Sequence, residues 1–159
     1  MKFSISKKLH ENRAMKLLLS VYTIFILTFI TVNIFMKVEY FGSTLESVKS
    51  TILGNEEEFI DPMSLEDILT IVHTDLFSQL FILVTIASLY MRTPILQSVK
   101  MGVLGVATVA IFVEVFSFFT LYYGIDSLVF YLVSSFLLFN ISMVIMSVHS
   151  IALLWMRRY

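Results

Sequence analysis

Long apolar blocks alternate with short polar segments along this chain. Four blocks reach or exceed the roughly twenty residues that a bilayer core requires, at residues 17–36, 65–92, 94–123 and 127–156. Continuous apolar runs of this length are typical of helices, whereas an outer-membrane barrel shows ten-residue segments of alternating polarity. The predicted fold class is therefore an all-α integral membrane protein, a four-transmembrane-helix bundle forming a single domain over residues 1–159.

The polar segment at residues 37–63 is predicted as a long external loop, because it carries six acids against two lysines. Within it, residues 43–46 fit a capping box, and Leu45, Val48 and Ile52 share one helical face. We expect a short amphipathic helix there.

Capping residues mark where the later spans begin. Ser64 with Asp67 forms a capping box for the second span, Thr93-Pro94 is predicted to begin the third, and Asp126 or Ser127 the fourth. The connections between the second, third and fourth spans are short, so consecutive spans are expected to be antiparallel neighbours.

Composition agrees with a membrane protein and removes several chemistries. The chain is 58% hydrophobic and only 14% charged, whereas soluble domains have about a quarter of their residues charged. It has no cysteine, which excludes disulfides, thiolate metal sites and cysteine nucleophiles. No catalytic motif is present and no nucleic-acid partner is predicted, so the sequence favours a non-catalytic role.

The distribution of Lys and Arg predicts the orientation in the membrane. Five lie in a basic lead-in at residues 1–16, two lie between the second and third spans, and two follow the fourth, whereas only Lys37 and Lys49 lie on the opposite side. By the positive-inside rule both termini are cytoplasmic, and the predicted location is a bacterial inner membrane. The lead-in is expected to contact anionic lipid.

Away from the ends of the predicted spans, four ionisable residues lie at bilayer depth, where an unpaired charge costs several kcal/mol; they are His73, Asp75, Glu114 and His149. Counting about 1.5 Å per residue from the helix ends places His73, Asp75 and Glu114 at one level on the external side. These three are the predicted metal-binding residues. Because positions two apart lie about 200° around a helix, His73 and Asp75 cannot both face Glu114. His149 lies near the cytoplasmic end, too far away to share a metal or haem with His73.

Helical spacing predicts which polar side chains face other helices. Glu114 belongs to a stripe of small and apolar residues that is expected to face protein, namely Ala107, Ala110, Glu114, Ser117 and Leu121. His149 aligns at seven-residue spacing with Ser135 and Ser142, which predicts a buried histidine bonded to a hydroxyl. The other predicted buried polar residues are Gln79, Asn33 and Asn140.

The stretch Ile71–Phe77, IVHTDLF, resembles the second helix of a bacterial four-span inner-membrane family with a Thr-His-x-His-x-Phe type motif after an acidic external loop. The likeness extends loosely through Gly42, the Gly54 and Glu58 region and Pro62. Asp75 replaces the second histidine here. The resulting set of histidine and carboxylate suits zinc or iron better than the haem or copper that the resemblance implies.

Two functions follow as hypotheses. The first is a small accessory subunit of a larger inner-membrane assembly, such as a respiratory or redox complex, in contact with other membrane subunits or with copies of itself. The second is a protein that binds a metal, haem or quinone, or relays protons, through His73, Asp75 and Glu114. A transporter is disfavoured, because four spans seldom form an alternating-access path and no Gly or Pro interrupts paired helices.

Overall fold

A computed structural model of the chain describes residues 13–156. Its elements are five α-helices and one 3₁₀ turn at Asp126–Leu128, the helices being α1 (Arg13–Phe41), α2 (Leu45–Leu53), α3 (Leu65–Tyr90), α4 (Gln97–Tyr122) and α5 (Val129–Met156). The helices α1, α3 and α4, and the turn together with α5, are long and apolar enough to cross a membrane. The predicted all-α, four-span architecture is confirmed. Most of the predicted basic lead-in, and the arginines after α5, lie outside the described residues.

The first span is longer than the sequence predicted. It begins at Arg13 and continues beyond residue 36 through Phe41, so Lys37 belongs to a helix and not to the loop. The apolar face of α1 continues through Ile34 and Phe41, with Lys37 between them at helical spacing. The predicted boundary at Lys37 followed its charge and overlooked this periodicity.

Both predicted capping boxes are present, although the first is shifted. In α2 the N-cap is Thr44, whose hydroxyl accepts a hydrogen bond from the backbone N–H of Ser47 at 3.1 Å. In α3 the N-cap is Ser64, which accepts from the backbone N–H of Asp67 at 3.2 Å. Gly54 ends α2 with φ of +81°, a conformation that glycine adopts without a steric penalty.

The turn between α3 and α4 differs from the prediction. Thr93-Pro94 does not begin α4, whose N-cap is Leu96. The Lys100 ammonium instead reaches back and donates hydrogen bonds to the carbonyl oxygens of Met91 at 3.0 Å and Thr93 at 3.1 Å. A cation at the C-terminal end of a helix satisfies carbonyls that have no partner within the helix and interacts favourably with the helix dipole. Lys100 therefore closes this turn.

Two contacts define the two ends of the bundle. The indole N–H of Trp155 donates to the Ser20 hydroxyl at 2.9 Å, which joins the end of α5 to the beginning of α1. At the opposite end, Lys49 of α2 forms an ion pair of 2.7 Å with Asp126 in the turn before α5. We refer to these as the termini side and the α2 side.

The core consists of two apolar clusters, with α5 contacting α1, α3 and α4. The first occupies the termini side and the middle of the bundle and includes Ile26, Ile86, Tyr90, Ala107, Ile111, Met143 and Met146. The second lies under α2 and includes Phe41, Val48, Ile52, Ile68, Phe118, Leu121 and Leu132. Because α2 buries its apolar face against the spans, it covers the end of the bundle.

Candidate functional site

An ion pair connects α1 to α3 within the α2-side half of the bundle. The Lys37 ammonium contacts the Asp75 carboxylate, and the two side chains are only 17% and 15% exposed. The ammonium also lies 5.2 Å from the ring centroid of Phe41 and 5.4 Å from that of Phe118. At these distances the ring faces attract a cation, so the ammonium is stabilised by a carboxylate and by two aromatic rings.

A second polar pair connects α3 to α4 between the two apolar clusters. The Gln79 side-chain amide donates to Oε2 of Glu114 at 2.8 Å, and Glu114 is only 3% exposed. Asp75 and Gln79 are four residues apart on α3 and therefore share a face. Lys37 and Asp75 are near enough to act electrostatically on Glu114. These four residues, Lys37, Asp75, Gln79 and Glu114, are called the polar layer below.

Two clefts flank the polar layer. A cleft of about 280 Å³ lies between α1, α4 and α5, with Leu45 and Val48 of α2 also lining it, and both Lys37 and Glu114 border it. A larger cleft of about 650 Å³ lies between α1 and α3, and Lys37 and Asp75 line it together with Asn33. Three members of the polar layer, Lys37, Asp75 and Glu114, thus line a cleft as well as contacting a partner.

His73 lies outside this layer, on an exposed face of α3. Glu66, Thr70, His73 and Thr74 are all exposed, and their spacing of four, seven and eight residues from Glu66 places them on one side of the helix. We call them the α3 stripe. The Thr74 hydroxyl donates to the Thr70 carbonyl oxygen at 2.8 Å. Within residues 13–156, no side chain or backbone group is hydrogen-bonded to the His73 imidazole.

The three residues predicted as metal ligands are divided between two locations. Asp75 and Glu114 belong to the polar layer, whereas His73 points away from it, as the angle of about 200° between positions two apart on a helix requires. Over the described residues, no group of three His, Asp or Glu side chains could hold a metal ion. The partner of Asp75 is Lys37, a residue predicted to lie in the loop.

The predicted inward orientation of His149 is wrong. The side chain is exposed, one ring nitrogen lies 2.9 Å from the Ile145 carbonyl oxygen of its own helix, and the ring meets Tyr90 edge-on at 6.3 Å. Ser135 and Ser142 are buried as expected, but a seven-residue repeat drifts by about 20° per heptad on a straight helix, which turns His149 outward. Tyr90 is seventeen residues (90 − 73) after His73, about 25 Å along α3, so the two histidines are far apart.

The remaining predicted buried polar residues have different environments. Gln79 is buried and bonds between helices, as described above. Asn140 is buried, but its amide donates at 2.7 Å to the Phe136 carbonyl oxygen within α5 and not to another helix. Asn33 is partly buried at the cleft between α1 and α3. The predicted stripe on α4 is confirmed, since Ala107, Ala110, Glu114, Ser117 and Leu121 are all buried.

The fold and the polar layer define a four-span helical membrane protein with an ionisable site inside the bundle. Residues 42–159 match the Aq_1264_TM family, which is described as a transmembrane helical domain, and the chain belongs to this family. The match begins directly after α1 and covers α2 to α5, so it includes Asp75, Gln79 and Glu114. No curated protein and no solved structure matches the chain. A membrane-protein family agrees with the resemblance noted in the sequence, while the motif around His73 stays a prediction.

Proposed function

We propose that this chain is a small non-catalytic subunit of a larger membrane assembly and that it meets its partner through the α3 stripe. The observation that carries the proposal is the exposure of His73 and its neighbours on a membrane-spanning helix. The spans contact lipid along their apolar faces, but the stripe offers lipid a hydrogen-bonding surface.

The depth of His73 makes that exposure costly in a bilayer. The 26 residues of α3 extend for about 39 Å, more than the roughly 30 Å of a hydrocarbon core. His73 lies eight residues after Leu65, about 12 Å along the helix and therefore below the membrane interface. Polar side chains at such depth normally face protein or a water-filled cavity. A neighbouring membrane helix that bonds the imidazole would remove this cost.

The charge distribution supports an orientation with both termini in the cytoplasm. Arg13, Lys16, Arg92 and Lys100 lie towards the termini side, whereas Lys37 and Lys49 lie towards the α2 side. Both of the latter are neutralised by carboxylates. The positive-inside rule then places α2 on the external face, as expected for a multi-pass protein of a bacterial inner membrane.

Site-specific photocrosslinking in native membranes tests the proposal. A benzophenone side chain at Thr70, beside His73 on the stripe, is expected to form a discrete protein adduct. The matched control is the same side chain at Phe116, an exposed apolar position six residues before the end of α4 and therefore at similar depth. Lipid adducts alone at both positions would contradict docking through the α3 stripe.

A second candidate function is supported by Glu114 and is the binding of a proton or a lipid-soluble ligand in the polar layer. Lys37 from α1 and Asp75 from α3 neutralise each other, so the layer is neutral when the Glu114 carboxyl holds a proton and carries one negative charge when it does not. Buried carboxyls of this kind are typical of proton relays and ligand sites in membranes. The set differs from the sequence hypothesis, because Lys37 and Gln79 replace His73.

Infrared spectroscopy of the protein in lipid tests this second function directly. A protonated carboxyl at position 114 gives a carbonyl-stretching band that should change with pH and be absent from Glu114→Gln. The matched control is Glu66→Gln, which removes an exposed carboxyl from the same end of the bundle. A spectrum of Glu114→Gln identical to that of the parent protein at every pH would contradict proton binding at Glu114.

A further inference from the structure

The cleft between α1, α4 and α5 opens towards the bilayer. Val38 of α1 and Leu137 of α5 line it and are 45% and 47% exposed on the outer surface of the bundle. Its inner end reaches Lys37 and Glu114. A molecule dissolved in the membrane can therefore reach the polar layer between α1 and α5, while residues 42–45 line the cleft at its α2 side.

The charges around the cleft favour a neutral ligand. Because Lys37 and Asp75 neutralise each other, the cleft offers no unpaired charge to an organic ion while the Glu114 carboxyl holds a proton. A neutral head group can accept a hydrogen bond from the ammonium at one end. At the other end it meets the Glu114 carboxyl. Among the described residues Gln79 is the one hydrogen-bond partner of that carboxyl, and it bonds Oε2 and not Oε1.

The walls and the size of the cleft favour a planar ring. Phe41, Phe118 and Phe136 line it, and aromatic side chains pack well against a flat conjugated head group. The volume of about 280 Å³ is close to the lower end of small-molecule sites. It accommodates one substituted ring, so a long tail would have to remain in the bilayer.

We propose that this cleft binds the head group of a membrane quinone or quinol, between the Lys37 ammonium and the Glu114 carboxyl. A quinone carbonyl accepts a hydrogen bond from Lys37, and a quinol hydroxyl can donate to the carboxylate of Glu114. The proposal concerns binding alone and rests on the second candidate function, because it assigns a ligand to the polar layer. The isoprenoid tail leaves between α1 and α5.

Equilibrium binding of a decyl-substituted benzoquinone to the full chain in phosphatidylcholine nanodiscs tests the proposal. We expect saturable binding near one molecule per chain. Val133→Phe fills the cleft and is expected to weaken binding at least about tenfold, as is Lys37→Met, which removes the donor. The matched control is Val106→Phe, the same enlargement at an exposed position of α4, which should bind as the parent protein does.

A second cleft variant and a competition experiment complete the test. If Val133→Phe does not fold, Phe136→Leu removes an aromatic wall with a smaller change in volume and should still weaken binding several-fold. Decanol and decanoate, which have the tail but no ring, should not compete. Equal competition by either compound, binding that does not saturate, or unchanged affinity in both Val133→Phe and Lys37→Met would overturn the proposal. Such a failure would leave the infrared band of Glu114 intact, and hence the second candidate function.

Discussion

The ion pair of Lys37 and Asp75 should couple the stability of α1 to that of α3. The perturbations are Lys37→Met, Asp75→Asn and the two combined, all of which preserve approximate side-chain volume. The two side chains are 17% and 15% exposed, so each charge has lost most of its hydration and depends on the other. Removing one partner leaves the other charge buried without compensation.

The magnitude follows from that burial. Removing one partner from a fully buried pair costs about 3–5 kcal/mol, and the remaining exposure here lowers the expected cost to about 2 kcal/mol for each single variant. The double variant retains no charge and should lose only about 1 kcal/mol, which includes the lost attraction of the ammonium to Phe41 and Phe118. The sum of the two single-variant costs in unfolding free energy therefore exceeds the cost of the double variant by about 3 kcal/mol, which is the coupling energy of the pair.

Equilibrium unfolding in mixed micelles provides the assay. Trp155 is the only tryptophan and is hydrogen-bonded to Ser20, so its fluorescence reports the separation of α1 from α5. The control cycle is Lys49→Met with Asp126→Asn, an exposed pair at which screening by solvent leaves a much smaller coupling. Single-variant costs at Lys37 and Asp75 that simply add in the double variant would refute the reasoning.

Three further predictions concern the ends of the bundle. Lys100→Met removes two charge-assisted hydrogen bonds to carbonyls at the end of α3 and should lower the free energy of unfolding by about 2 kcal/mol in the same assay. Asp126 raises the pKa of the Lys49 ammonium, so the protection of α2 amides against hydrogen exchange, corrected for the intrinsic exchange rate at each pH, should fall as pH rises through the raised value. Gly54→Ala should lower the Tm more than Gly124→Ala. Both glycines have φ above +80°, but only at Gly54 would an added Cβ clash with the backbone, 2.8 Å from the nitrogen of residue 62.

Each of these predictions has a specific contrary result. Unchanged stability of Lys100→Met would mean that water satisfies the carbonyls equally well. The same pH-dependent loss of α2 protection in Asp126→Asn would assign the effect to other groups. Equal Tm losses in the two glycine variants would show that strain in φ, and not contact, governs both turns.

Much of the fold follows from local patterns. Apolar length predicts the four spans, and the capping residues predict where α2 and α3 begin, because a cap acts within a single helical turn. The stripe on α4 that buries Glu114 follows from helical periodicity alone. Periodicity was less informative for His149. A seven-residue repeat rotates gradually around a straight helix, and after two heptads from Ser135 the side chain of His149 faces outward.

The polar layer was predicted only in part for a related reason. Asp75, Gln79 and Glu114 are recognisable because polar residues are conspicuous within apolar blocks. Lys37 is not, because a lysine near the end of a block is equally typical of a loop, and its charge decided the predicted boundary of the span. Only the continued spacing of Ile34, Lys37 and Phe41 indicated that it faces inward.

The sequence by itself determined that the chain crosses a membrane four times, which residues begin its helices and which face of α4 is buried, because these depend on residues within a few turns of one another. Only the tertiary structure decided that Lys37 neutralises Asp75, that Gln79 bonds Glu114 and that His73 is left outside. Those partners are 38 and 35 residues apart along the chain, and their meeting depends on how α1, α3 and α4 rotate and pack around α5.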